Sequence, residues 1–228
     1  MALRLLSIQV GMPKIFGAEE GFRADRSWSS AILKEPVEGP VWLDALNLAG
    51  DRQDDLGVHG GPDQTILGYC AGHYPHWRAE LERPDFPYGA FGENFTLAGL
   101  DEESVSIGDT FEIGAVVIQV TSPRGPCWKI ARRHGIPELT AMVERRGWTG
   151  WYYRTLQQGF VEAGQEFSLT ERPHPGWTIR RAADTRRGRD LDALRELATL
   201  PELAARFRES VQHRLARLSG DYTQVQPS

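Results

Sequence analysis

Cysteine is scarce in this sequence, with Cys70 and Cys127 the only two in 228 residues. Two cysteines in unrelated contexts exclude a disulfide framework and any multi-cysteine zinc pattern, and they suit a reducing compartment. The six histidines are scattered, so no metal-ligand spacing emerges from them either. No apolar run is long enough to span a bilayer. Residues 1–10, MALRLLSIQV, carry no long apolar stretch or cleavage-type ending, so they read as a first strand rather than a signal peptide. Positive charge is not in surplus: 26 Lys and Arg stand against 31 Asp and Glu, a net charge of −5. That balance argues against a nucleic-acid polymer as partner. No Walker-type loop and no dinucleotide fingerprint occurs. What remains is a cytoplasmic globular protein with neither a membrane nor a nucleic acid as its partner.

Hydrophobic residues make up 40% of the chain and charged residues 25%, enough for a sizeable core. The length suits one large domain with a small appendage. Residues 3–10, 30–34, 40–46 and 64–69 read as strands, and a polar loop with paired glycines covers 50–63. Residues 71–82 are helical by period, with Tyr74, Trp77 and Leu81 on one face. Strand character over 100–111, with a turn signal at Gly108-Asp109, leads into the β-type run AVVIQV at 115–120. A short helix is expected over 137–146, and the last strands over 160–170. Many short strands with scattered short helices predict a mixed α/β fold dominated by a β-barrel. After residue 172 the strand pattern stops. The predicted division is a barrel domain at 1–172 and a three-helix domain at 173–228. Its last helix is expected to open at Pro201, to bury Leu203, Phe207, Val211, Leu215 and Leu218, and to end at Gly220.

The chain is organised around TSPRGPCWKI at 121–130. The preceding strand delivers the backbone to a turn stiffened by Pro123 and Pro126. Cys127 then stands between Arg124 and Lys129, and nearby cations favour the thiolate, which is both nucleophile and soft-metal ligand. By residue type alone, the alternative is a buried, inert cysteine at a strand end. Two more glycine-marked loops matter, His59-Gly60-Gly61-Pro62-Asp63 and Phe91-Gly92-Glu93-Asn94. A barrel could bring all three to one rim, as a lining for an anionic, polar ligand with one soft atom or metal. A nucleophilic pair of Cys127 with His59 or His134 is the second reading of these residues. Cys70, His73 and Tyr74 read as packing.

These three loops, in order and spacing, resemble the motifs of MOSC domains, which are named for the C-terminal part of molybdenum cofactor sulfurase. The resemblance extends over about residues 1–218. It is greatest to the YiiM-like branch, which shares the segment HYPHW at 73–77 and a small C-terminal three-helix domain. It implies a MOSC-type β-barrel with a molybdenum cofactor at the loop rim and Cys127 as catalytic residue and protein ligand to molybdenum. Cofactor binding falls by similarity to Ser30, Ser122 and Arg124, with Arg26, at the phosphate, and to His59, Gly60, Gly61 and Asn94 along the pterin or substrate side. The implied activity is reduction of N-hydroxylated compounds (hydroxylaminopurines, amidoximes, hydroxylamines) to amines, with electrons from a separate reductase protein. A non-catalytic carrier of the cofactor or of sulfur is the alternative. The helical appendage could serve as the contact surface of a homodimer.

Overall fold

The β-type run at 115–120 becomes an eight-residue strand, Val116–Pro123, and the rest of the sheet is laid out around it. The computed structural model describes residues 2–16, 27–57 and 59–220. In chain order its strands are β1 (Arg4–Val10), β2 (Lys14–Phe16), β3 (Trp28–Ser30), β4 (Glu35–Pro36), β5 (Val41–Leu43), β6 (Ile66–Cys70), β7 (Phe95–Ala98), β8 (Thr110–Ile113), β9 (Val116–Pro123), β10 (Trp151–Gln157), β11 (Gly159–Val161) and β12 (Ser168–Glu171). Its helices are α1 (Tyr74–Glu80), α2 (Lys129–His134), α3 (Leu139–Arg146), α4 (Ile179–Arg187), α5 (Leu191–Thr199) and α6 (Ala205–Ser219).

Eight strands form one curled sheet in the order β12-β8-β9-β10-β6-β7-β1-β4. Its far ends approach each other. Leu5 N donates to Gln165 O at 3.0 Å, Phe167 N donates to Leu3 O at 2.9 Å, and an isolated bridge pairs Arg4 with Glu166. These contacts join β1 to the segment leading into β12, so the sheet curls into a half-barrel, as the strand-rich sequence predicted. Val116, Ile118 and Val120 of β9 are fully buried while Val117 and Gln119 are not, the alternation expected of a strand with one face on a core. β6 is buried along its whole length, between β10 and β7. Its pairing with β7 is parallel, and such a pair needs a long crossover. Residues 71–94, carrying α1, provide it.

Two hydrophobic clusters result. The larger fills the sheet and runs without a break into the C-terminal helices, through Trp177, Ile179, Leu194, Leu197 and Val211. The smaller lies under α1–α3, around Tyr69, Tyr74, Trp77 and Phe91. Tyr74 and Trp77 are buried on one helical face, as their spacing predicted. The expected three-helix appendage is present as α4–α6, and α6 ends at Gly220 in the left-handed conformation. No helix among the described residues is long and apolar enough to cross a membrane.

Several expected elements differ. The strand at 30–34 is instead Trp28–Ser30, because Ser30 Oγ accepts from Ile32 N at 3.1 Å and the chain turns aside. The strand at 40–46 stops at Leu43, where Asp44 Oδ1 accepts from Leu46 N and Asn47 N, both at 2.7 Å. The reading of 100–111 as strand is also corrected, although the turn signalled by Gly108-Asp109 is present, with Asp109 N donating to Ser106 O at 3.1 Å. Asp101 folds residues 101–105 into one turn and Asp109 folds 106–109 into a second, only Thr110 onward is strand, and the hairpin reverses at Gly114. Pro201 does not open the last helix: Ala204 N donates to Thr121 O at 3.0 Å, and the helix begins at Ala205. Helix α2, directly after Cys127, was not expected. The aromatic segment at 148–153 contributes Trp151 and Tyr153 to the core as part of β10.

Candidate functional site

The three glycine-marked loops meet at one rim of the half-barrel. Around them lies a cleft of about 690 Å³, open to solvent and lined by residues of all three, with Cys127 in its wall. The first loop connects β5 to β6, the second leads into β7, and the third leaves β9. Gly60 and Gly92 have φ of 83° and 81°, a conformation that other residues rarely adopt. A Cβ at Gly60 would stand 2.9 Å from Gln53 Oε1, and one at Gly92 would stand 3.0 Å from Ile32 Cγ1. Both glycines therefore let the rim close without a side chain in the way.

One wall is a closed polar network. Asp51, 3% exposed, forms a buried ion pair with Lys34. Asp51 Oδ1 also accepts from Gly11 N at 2.7 Å, and its Oδ2 accepts from Asn94 Nδ2 at 2.9 Å. Asn94 Oδ1 accepts from Leu67 N at 3.1 Å, and Nδ2 also reaches Gln9 O at 3.2 Å. Asn94 therefore ties three segments of the barrel together. Burial pushes the Lys34 ammonium down, and Asp51 opposes that shift. Behind this wall Glu93 is fully buried. It accepts from Tyr74 Oη, Gly89 N and Phe91 N, which shapes the second loop.

The opposite wall is left open. Arg124 is 7% exposed, and its Nη2 donates to Phe91 O at 2.8 Å. Its Nη1 is buried with no partner among the described residues, and so is Gln64 Oε1. A buried guanidinium lacking a carboxylate is costly unless something anionic satisfies it. Tyr152 lies beside it, its phenol pushed up by desolvation while the Arg124 charge pulls the other way. His59 is held below its ordinary range, first by burial and then by Arg124 and Lys129. Cys127 is half-buried and not in a disulfide. Its carbonyl accepts from Ile130 N at 3.2 Å and Thr140 Oγ1 at 3.3 Å, which fixes the backbone that carries the thiol. Lys129 Nζ stands 3.3 Å from Asp54 Oδ2.

Of the residues singled out in the sequence, Ser30, His59, Gly60, Asn94, Arg124 and Cys127 line this one cleft. Gly61 does not. Ser122, 1% exposed, lines an adjoining cavity. Arg26 lies outside the described residues. His134 turns away: its Nε2 meets Ala90 O at 2.8 Å, and burial lowers its pKa to about 4. Of the two candidate partners for a cysteine nucleophile, only His59 shares the cleft with Cys127. Cys70 is buried, with its thiol pushed up to about 11, as a packing residue should be. The sequence reading missed Lys34, Asp51, Gln64 and Tyr152. A buried ion pair between residues seventeen apart has no local pattern, but the acid-rich loop at 51–55 carried a signal, being too polar for a plain connection.

Comparison with known proteins agrees with this geometry. The MOSC domain family matches residues 55–168, and the YiiM-like, 3-alpha helix domain matches residues 177–218. Protein YflK of Bacillus subtilis (strain 168), named as uncharacterized, is 36% identical over 216 residues, covering 94% of this chain and 95% of that protein. A Gibberella moniliformis protein named Reductase is 36% identical over 202 residues, covering 86% of this chain but 36% of that longer protein. The crystal structure of YiiM from Geobacillus stearothermophilus superposes with a TM-score of 0.78 at 35% identity, covering 94% of this chain and all of that one. The chain belongs to the MOSC domain family, in its YiiM-like branch.

Proposed function

We propose that the chain is a molybdenum cofactor-dependent oxidoreductase that reduces N-hydroxylated compounds to amines. One observation carries the reading. In a cleft of a MOSC fold, the half-buried Cys127 thiol shares the wall with a buried Arg124 whose Nη1 has no partner. That donor set suits a group combining a thiophilic metal with a phosphate. Among the described residues no cluster of three or more His, Cys, Asp or Glu could hold a metal ion. A metal here would take Cys127 as its protein donor and its other donors from the ligand that carries it.

Once bound, the cofactor supplies a two-electron redox centre. The protein's part is to bind, orient and protonate. Cys127 gives the thiolate, and Arg124, Ser30 and Ser122 are the anchors for the phosphate, with Arg26 a further one. His59 and Gly60 form the pterin or substrate side, and Asn94 holds the wall behind them. The reaction consumes two electrons and two protons per N–O bond broken and yields the amine and water. Burial keeps the Tyr152 phenol protonated, so its hydroxyl can donate to a substrate oxygen. His59, held neutral, accepts or donates a hydrogen bond without adding charge. The electrons come from a separate reductase protein.

The test is elemental analysis for molybdenum on protein made in cells with a verified cofactor supply, comparing wild type with Cys127→Ala. It is followed by reduction of a hydroxylaminopurine with a chemical electron donor. Near-stoichiometric molybdenum in the wild type, lost in the variant, together with turnover, is expected. A fully active Cys127→Ser variant would sink the proposal. Molybdenum bound without turnover would make the chain a carrier.

A further inference from the structure

The motif HYPHW at 73–77 reads as packing in the sequence, yet two of its side chains hold buried carboxyl groups. His73 Nε2 donates to Glu102 Oε2 at 2.7 Å, and Tyr74 Oη donates to Glu93 Oε1. Glu102 is 2% exposed and Glu93 is fully buried. Neither lines the rim cleft. Each instead accepts a backbone N–H from a residue whose own carbonyl accepts from Arg124. Glu102 Oε1 accepts from Gly150 N at 2.8 Å, and Gly150 O accepts from Arg124 N at 3.1 Å. Glu93 Oε2 accepts from Phe91 N at 3.2 Å, and Phe91 O accepts from Arg124 Nη2 at 2.8 Å. Two chains of hydrogen bonds thus start on adjacent residues of the motif and end on the backbone and on the guanidinium of one arginine. Ring contacts hold the donors still. His73 stacks on Trp148 with centroids 4.3 Å apart. Trp77 Nε1 donates to Tyr69 Oη at 2.8 Å, and Tyr69 stacks on Phe91 at 4.7 Å. Burial, then Glu93, push the Tyr74 phenol far up, so its hydroxyl stays a donor. Packing alone does not call for two buried carboxyl groups, which are costly to bury unless hydrogen-bonded.

We propose that His73 and Tyr74 are positioning residues: through Glu102 and Glu93 they fix Arg124 at both ends, so that its guanidinium is already in place when a ligand enters the cleft. Arginine is long and has many rotamers, and ordering it beforehand removes a cost that binding would otherwise carry. The role rests on Arg124 being an anchor of the cofactor. The two chains of hydrogen bonds exist whether or not it is one.

The first test needs no cofactor. His59 is held down by burial and then by the Arg124 charge, so its pKa, followed by NMR in the cofactor-free protein, reports where the guanidinium stands. A guanidinium no longer held in place moves toward water. His73→Phe and Tyr74→Phe keep a ring and remove the donor, and in each the His59 pKa should rise by about half a pH unit. The rise should be absent where Arg124 is already Met. His73→Gln, which can still donate to Glu102, should restore the wild-type value. In protein made with a verified cofactor supply, molybdenum content should fall about tenfold in the two phenylalanine variants. An unmoved His59 in the folded variants, or an equal rise in the Arg124→Met background, overturns the proposal and leaves the motif as packing. If His73→Phe does not fold, Tyr74→Phe decides through the other chain. An Arg124-dependent rise with molybdenum at the wild-type level keeps the positioning and removes Arg124 as an anchor. No molybdenum in the wild type removes the cofactor reading alone, and His59 still decides the positioning.

Discussion

The two walls of the rim cleft bury polar groups to similar depth and satisfy them differently. On one side Asp51 and Asn94, 3% and 4% exposed, use both ends of their side chains on Lys34, Gly11, Leu67, Gln9 and each other. On the other, Arg124 at 7% exposure leaves Nη1 without a partner, as Gln64 does Oε1. Native proteins pair most buried polar atoms, so an orphan at the edge of a cleft marks where a ligand completes the set. The closed wall holds the fold together, and the open wall is kept for binding. Asn94 shows that lining a cleft and acting on a ligand are different properties.

The comparison breaks most sharply at Asp51. Asp51→Ala leaves Lys34 buried without its counter-charge, and the expected loss is about 3–5 kcal/mol in chemical denaturation. A loss below about 1 kcal/mol would mean that the closed wall is not structural. Next is the pH response of the turn behind that wall. His134 bonds Ala90 O, and its folded pKa of about 4 lies below the unfolded value of 6.5. Below pH 6.5 the unfolded chain takes up a proton that the folded chain refuses. This contribution is therefore complete above 6.5 and is lost as the pH falls toward 4, by about 2–3 kcal/mol. Denaturation across that window should show the slope in wild type and a reduced one in His134→Gln.

The open wall should respond in the opposite sense. Arg124→Met removes one hydrogen bond to Phe91 O but also an unpaired buried charge, so stability should change by less than about 1.5 kcal/mol. Molybdenum content should nevertheless fall with it. A loss of the size expected at Asp51, with molybdenum retained, would erase the distinction between the walls. The smallest effect is electrostatic. Arg124 depresses His59 but is not among the causes at His134. In Arg124→Met, the His59 pKa followed by NMR should rise, while that of His134 stays put.

Much of this was legible in local patterns. Strand alternation exposed β9, helical spacing exposed the Tyr74–Trp77 face, and a change of period exposed the C-terminal helices. Glycine marked the three loops because certain turns admit no other residue at little cost. Local patterns failed where one side chain redirected the backbone. Asp44 ends β5, Asp101 and Asp109 fold 101–109 into two turns, and a hydrogen bond to Thr121 delays α6 to Ala205. None of these competing bonds changes the hydrophobic period on which the strand and helix assignments rested.

By itself, then, the sequence determined the strand-rich barrel, the helical appendage and the three loops that carry Cys127 and Arg124, His59, and Asn94, since each is written in periodicity, glycine placement or residue chemistry over a few neighbouring positions. Only the tertiary structure decided that Asp51 neutralises Lys34 while Arg124 keeps Nη1 without a partner among the described residues, and that Arg186 of α4 faces the same space as the rim. Whether a buried charge finds a partner depends on residues far apart in the chain, which only the closing of the sheet and the docking of the helices bring together.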